Sequence, residues 1–245
     1  MTHSIVFGGS KGLGRVLAKQ LAIRGDAVSV VSRTEPAQAD QSEGVRYFPA
    51  DIADIDTTQK AIDAAVEQNG AIDYLVFCQR YRGKEDAWAG EIEVSLTASK
   101  RVVEYAQDKF SKDGDRGIVF VSSVFGDRVG EGQDLSYHIG KAGMNHMARY
   151  YAVNLGRKGI RANTVTPFTF LKDESKSFYL NNKELLGLYE EIIPLGRMAT
   201  SEDSANVIAF LCSPAAAFVS GQNIYVDGGL SLVWPETLAR KLKSI

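Results

Sequence analysis

The chain has 245 residues, 44% hydrophobic and 24% charged, with a formal net charge of −2. That length and apolar content suit one α/β domain, with no basic excess to hold a nucleic acid and no apolar run long enough to cross a membrane. Two cysteines, Cys78 and Cys212, make no disulfide framework and fit a reducing, cytoplasmic setting, while His3, His138 and His146 lie outside any metal-ligand spacing, so no metal is expected.

The first residues run straight into an apolar segment, 4–7, without a charged leader or cleavage site, which reads as the absence of a targeting signal. Directly after it comes Gly8-Gly-Ser-Lys-Gly-Leu-Gly14, and then a helical pattern over 13–24. Glycines at 8, 12 and 14 let the backbone turn tightly and approach a pyrophosphate, whose charge suits a helix N-terminus. The spacing is G-x3-G-x-G rather than G-x-G-x-x-G, but its place between a strand and a helix marks a dinucleotide site. Gly8, Ser10, Lys11, Gly12, Leu13 and Gly14 are therefore candidate cofactor contacts. The second strand, 27–32, ends in Ser32-Arg33, where an acidic residue would be needed for the ribose hydroxyl of NAD. A guanidinium matches phosphate geometry, and Lys11 adds a second cation, so Ser32 and Arg33 point to NADP(H).

Further strand-like runs occur at 45–48, 72–77, 117–121, 161–165 and 223–226, and helical patterns at 56–68, 98–110, 137–156 and 201–211. Strands alternate with helices throughout and read as apolar rather than alternating, as in a parallel sheet covered on both faces. The expected architecture is a single doubly wound Rossmann-type α/β domain over 1–245, with a seven-stranded parallel sheet flanked by helices. Ligands of such sheets bind beyond the carboxyl ends of the strands.

The fifth run leads through Ser122-Ser123 and a glycine-rich loop to Tyr137 and Lys141, one turn apart on one helix face. A phenol of pKa near ~10 is a weak acid at neutral pH, and a neighbouring ammonium lowers that value. With Ser123 to bond the same substrate oxygen, the three residues form a candidate general-acid group for a carbonyl or alcohol. Tyr105/Lys109 and Tyr179/Lys183 have the same spacing but no strand-Ser-Ser-loop before them, and fit surface positions of amphipathic segments.

These pieces, with Ala50-Asp51-Ile52, Asn163-Thr-Val-Thr-Pro167, Pro194-Leu-Gly-Arg197 and Gly221-Gln-Asn-Ile-Tyr-Val-Asp-Gly-Gly229, resemble the short-chain dehydrogenase/reductase family over nearly the whole chain. The closest likeness is to its 3-oxoacyl-thioester reductases. The resemblance implies that Asp51 and Ile52 meet the adenine, that Tyr137 transfers the substrate proton, that Lys141 also holds the nicotinamide ribose, and that Ser123 orients the carbonyl. It places Pro167 beside the nicotinamide, with Thr169 standing in for a carboxamide-binding threonine whose own position is Lys172. It also implies a homo-oligomer, dimer or tetramer, built on helices 98–110 and 137–156, the second offering Ala142, Met147, Tyr150 and Tyr151.

Besides Lys172, three stretches depart from the family pattern. Phe77-Cys-Gln-Arg80 replaces Asn-Asn-Ala-Gly, Ser95 replaces an asparagine of the proton relay, and Pro167-Phe168 replaces Pro-Gly. The long segment 168–198, rich in Phe, Tyr and Leu, is expected to be a substrate lid, and 230–245 a surface or interface tail. Arg80 and Lys172, if they face the cleft, favour an anionic substrate. The implied activity is NADPH-dependent interconversion of a small-molecule carbonyl and its alcohol. A related enzyme of another reaction type, such as an epimerase or dehydratase, and a cofactor-sensing protein with vestigial chemistry are the alternatives.

Overall fold

The computed structural model describes residues 1–83, 85–171 and 173–243, with only the backbone of 173–175. The strands are β1 (His3–Phe7), β2 (Ala27–Ser32), β3 (Val45–Pro49), β4 (Tyr74–Phe77), β5 (Arg116–Val121), β6 (Ile160–Pro167), the two-residue pair β7 (Phe170–Leu171) and β8 (Ala199–Thr200), and β9 (Asn223–Val226). Seven of them form one sheet in the order β3-β2-β1-β4-β5-β6-β9, every pair parallel. The order reverses between β1 and β4, which creates the crevice where doubly wound sheets take their ligands.

The connecting helices are α1 (Gly12–Arg24), α2 (Ile55–Asn69), α3 (Ala87–Glu91), α4 (Ala98–Ala106), α5 (Leu135–Gly156), α6 (Asp173–Asn181), α7 (Lys183–Ile192), α8 (Ser201–Leu211) and α9 (Pro235–Lys243). One core lies on each face of the sheet. Leu17, Leu21 and Ile208 of α1 and α8 cover Val30 and Val76, whereas Ile62, Val102 and Met144 of α2, α4 and α5 cover Ile5 and Ile118. Each such side chain contributes roughly 1.5–3 kcal/mol by leaving water. Side chains start the helices on register. Asp54 accepts from the N–H groups of Asp56 and Thr57 at α2, and Thr200 and Asp203 form a reciprocal capping box at α8.

Phe7, Phe77 and Phe120 occupy matching register positions on β1, β4 and β5 and stack at centroid distances of 5.2 and 4.8 Å. Tyr151 of α5 continues the series at 6.3 Å from Phe120. It is buried, so it belongs to this core and not to the assembly face expected of it. The helix expected at 98–110 is also different. Helix runs from Ala87 to Ala106 with a π-turn over Ile92–Thr97, and Phe110 instead bridges to Ile72 beside the start of β4. Such π-turns gather at functional sites, and this one carries Ser95.

Candidate active site

A cleft of about 910 Å³ opens over the carboxyl ends of β1, β2, β4, β5 and β6. Phe7, the first of the stacked phenylalanines, lines it, and its first wall is the glycine turn. Gly8 turns with φ 75° and its amide nitrogen donates to Val31 O at 2.9 Å, which pins the turn to the end of β2. A Cβ on Gly14 would stand 2.4 Å from Gly8 O, so the turn and the first coil of α1 touch backbone to backbone. No side chain caps α1, where Lys11 is the N-cap residue. Its first N–H groups are thus left for an anion, and the cradle fits a pyrophosphate.

Ser10, Lys11, Gly12 and Leu13 line the same wall. Ser32 and Arg33 follow at the end of β2, the Ser32 hydroxyl donating to Thr34 O at 3.0 Å. Asp51 and Ile52 come from the end of β3, and Asp51 is held by its Oδ1, which accepts from Ala53 N at 3.1 Å. The far wall is built by β5, α5 and β6. Ser123, Tyr137, Lys141, Pro167 and Thr169 all reach it, so every candidate residue from the sequence borders one cleft. Lys172 lies outside the described residues.

The far wall is held by short links. Ser122 donates to Lys141 O at 3.1 Å, fastening the end of β5 to α5. Lys141, only 3% exposed, donates through Nζ to Val121 O at 3.1 Å, and its Nζ lies 5.5 Å from the Tyr137 ring centroid. Ser123 stands close to the Tyr137 phenol. The phenol is pushed above its ordinary value, chiefly by burial, against downward pulls from Ser123 and the Arg80 guanidinium and an upward push from Glu91. The expected lowering of this phenol is therefore reversed in sign, because desolvation outweighs the neighbouring donor and cation.

Sequence reading missed two participants, Glu91 and Arg82. Glu91, 4% exposed, accepts the Ser95 hydroxyl and lies against Gly140, one turn beyond Tyr137. Ser95 thus spends its hydroxyl on a carboxylate where the family pattern has a relay amide. Its signal was the i, i+4 spacing of Glu91 and Ser95, legible only once the helix is known to start at Ala87. Tyr179 also lines the cleft. It sits on α6 while Lys183 begins α7, so the two do not share the helix face their spacing suggests. Arg82, the second missed residue, lies on the loop after Arg80. The Tyr105/Lys109 pair, by contrast, is spent on Asp63, which accepts from Tyr105 at 2.7 Å and pairs with Lys109 at 2.7 Å. Cys78 borders the cleft as a half-buried residue whose thiol desolvation raises to about 12, so it is protonated and not a nucleophile.

Over the cleft stand α6 and α7, joined by an aromatic chain in which Tyr189 meets Phe168 at 6.1 Å and Tyr179 at 5.9 Å. No residue of α7 is buried, so these helices rest on the body with little apolar anchorage. Among the described residues no group of His, Cys, Asp and Glu could hold a metal, and no helix is long and apolar enough to cross a membrane.

The family model described as enoyl-(acyl carrier protein) reductase matches residues 8–231. A cis-4-hydroxycyclohexanecarboxylate dehydrogenase of Sinomonas cyclohexanicum is 31% identical, across 94% of this chain and 96% of its own. The 3-oxoacyl-[acyl-carrier-protein] reductase FabG of Staphylococcus aureus is 32% identical, across 94% and 98%. A solved short-chain dehydrogenase/reductase of Mycobacterium ulcerans superposes with a TM-score of 0.83 at 27% identity, across 94% and 90%. With the glycine turn, the sheet order and the Ser-Tyr-Lys wall already in place, these matches make the chain an enzyme of the short-chain dehydrogenase/reductase family of oxidoreductases.

Proposed function

We propose that the protein is an NADP(H)-dependent reductase that interconverts a small-molecule ketone and its secondary alcohol in the cytoplasm, as one catalytic domain with 168–198 as its lid. The observation that carries this reading is the meeting of Ser123, Tyr137 and Lys141 on the wall opposite the glycine turn of one cleft. Gly8, Gly12 and Gly14 with the α1 N-terminus take the pyrophosphate, while Arg33 and Lys11 take the 2′-phosphate. Asp51 and Ile52 flank the adenine, and Pro167 and Thr169 the nicotinamide. The cofactor supplies a hydride. Ser123 donates a hydrogen bond to the carbonyl oxygen, and Tyr137, kept neutral by burial, hands it a proton. Lys141 holds the ribose and offsets negative charge left on the phenolate. Water is kept out by the lid and its aromatic chain.

The assembly is proposed to be a dimer or tetramer, with exposed Tyr150 and Val153 of α5 at the contact. The test of function is NADPH oxidation, followed by absorbance, over a panel of ketones, oxo acids and oxoacyl thioesters. Turnover of some member that Tyr137→Phe abolishes is the expected result. A purified, NADPH-binding protein inert toward all of them would refute it.

A further inference from the structure

Arg80 stands where the family pattern has a glycine, on the loop after β4, and its guanidinium carbon lies 5.8 Å from the Tyr137 ring centroid. Among the described residues no carboxylate forms an ion pair with it. Glu93, which also borders the cleft, is spent on Arg101 at 3.0 Å, and Glu91 is buried under Gly140 and accepts from Ser95. Arg82 adds a second cation to the same rim. The substrate end of the cleft therefore presents two guanidinium groups beside the phenol that serves the carbonyl, with Glu91 the buried carboxylate that opposes Arg80 at Tyr137. A guanidinium is a rigid fork suited to two carboxylate oxygens, and a hydrogen bond to a charged partner in a half-closed cleft is among the stronger polar contacts.

From this placement, and resting on the reductase reading above, we infer that the substrate is an oxo acid or hydroxy acid whose carboxylate is received by Arg80 while its carbonyl or hydroxyl faces Ser123 and Tyr137. A side chain at position 80 thus becomes a specificity-determining residue that a glycine there could not be. That the dehydrogenase of Sinomonas cyclohexanicum acts on a cis-4-hydroxycyclohexanecarboxylate is in keeping with this class.

The test compares 4-oxocyclohexanecarboxylate with its methyl ester as substrates, with NADPH, in the wild type, Arg80→Ala and Arg80→Lys. The wild type should favour the acid at least tenfold in kcat/KM, Arg80→Ala should bring the ratio close to one, and Arg80→Lys should restore part of it. An ester reduced as well as the acid, or a ratio that Arg80→Ala leaves intact, overturns the inference. So does acetoacetyl-coenzyme A reduced with a higher kcat/KM than the oxo acid. A second arm needs no turnover. Cyclohexanecarboxylate is titrated into the enzyme–NADPH complex, and Arg80→Ala should weaken its binding at least tenfold while leaving the NADPH Kd within twofold. If no ketone at all is reduced, the reductase reading fails and this binding arm alone decides the carboxylate site. A variant that loses NADPH affinity as strongly would assign Arg80 to a cofactor phosphate and overturn the inference.

Discussion

Replacing Gly14 with alanine sets two effects of opposite sign against each other. Gly14 lies inside α1, where propensity alone would favour alanine by about 1 kcal/mol. A Cβ at that position, however, would lie 2.4 Å from Gly8 O and 2.9 Å from Gly9 Cα. Both are backbone atoms of the glycine turn, so no flexible side chain can move aside. Ordinary contact begins at 3.4 Å, so the turn and helix must part by about 3.4 − 2.4 = 1.0 Å. Overpacking of this kind costs roughly 1–3 kcal/mol, which exceeds the propensity gain over most of its range. The displaced groups are those that cradle the pyrophosphate, so the loss should appear in cofactor binding as well as in stability. Gly14→Ala should lower Tm by a few degrees, at about 2–4 °C per kcal/mol for a chain of this size, and weaken NADPH at least tenfold by fluorescence titration. Gly187→Ala is the control, since a Cβ there meets nothing within 4 Å and should not destabilise α7. A Gly14→Ala protein with raised Tm and unchanged NADPH affinity would refute both the clash and the placing of the cofactor on this turn.

Tyr137→Phe should keep NADPH affinity and lose ~10²-fold or more in turnover, whereas Tyr105→Phe, whose hydroxyl is spent on Asp63, should cost far less. Because burial holds the phenol above its usual value near 10, the acid form persists through neutral pH. Reductive kcat/KM should therefore be flat between about pH 6 and 9, while the oxidative direction, which needs the phenolate, rises with pH. Arg33→Ala should reduce the preference for NADPH over NADH by about tenfold or more, and a wild type that binds both equally would sink the assignment. Asp203 is held down at about 2 by Arg197, whose two nitrogens each donate at 2.8 Å at the end of the lid. Its contribution is complete above the unfolded carboxylate value of ~3.9 and fades as pH falls toward 2, so Asp203→Asn should cost about 1 kcal/mol in Tm scans near neutrality and nothing in strong acid. Light scattering at micromolar concentration should return a dimer or tetramer, and a monomer would contradict the proposed contact through α5.

The sheet was legible at β1, β2, β4 and β5, which are buried and largely apolar runs, and the strand-like runs expected at β3, β6 and β9, which carry polar or half-exposed residues, also fall with ends within about two residues. The glycine turn was legible for a similar reason, since backbone contact between Gly8 and Gly14 leaves no latitude in residue type. Helix boundaries around the cleft were not. The segment after β4 mixes Gly90 with a π-turn, and neither follows the 3.6-residue period by which a helix is recognised. Asn182 hid the break between α6 and α7. Its side chain accepts from Leu185 N at 3.1 Å and starts a new helix, a capping signal that outweighs the Tyr179/Lys183 spacing across it. Tyr151 illustrates the converse, an aromatic residue on a long helix whose neighbour Tyr150 is 58% exposed while it is itself packed beneath Phe120.

The positions that depart from the family pattern are not scattered through the fold. Arg80 and Phe168 line the substrate end and Ser95 is buried behind it, while Cys78 and Gln79 meet Gly8 of the glycine turn through main-chain atoms; the glycines of that turn and the Ser123, Tyr137, Lys141 wall keep the family residues. The physical division is plain. The cofactor end is shaped by main-chain atoms at strand termini, so altering it disturbs the sheet that all other contacts need. The substrate end is shaped by side chains on loops and on the thinly anchored α6 and α7, where a change of charge or size costs the fold little. A cation at position 80, close to the buried carboxylate of Glu91, can therefore be carried without loss of the hydride-transfer frame. They alter the field around Tyr137 in opposite directions, Arg80 lowering and Glu91 raising its proton affinity. A bound carboxylate that neutralises Arg80 would remove one of the two groups that lower that affinity, with Ser123 remaining, and leave the phenol a firmer holder of its proton once an acid substrate is seated.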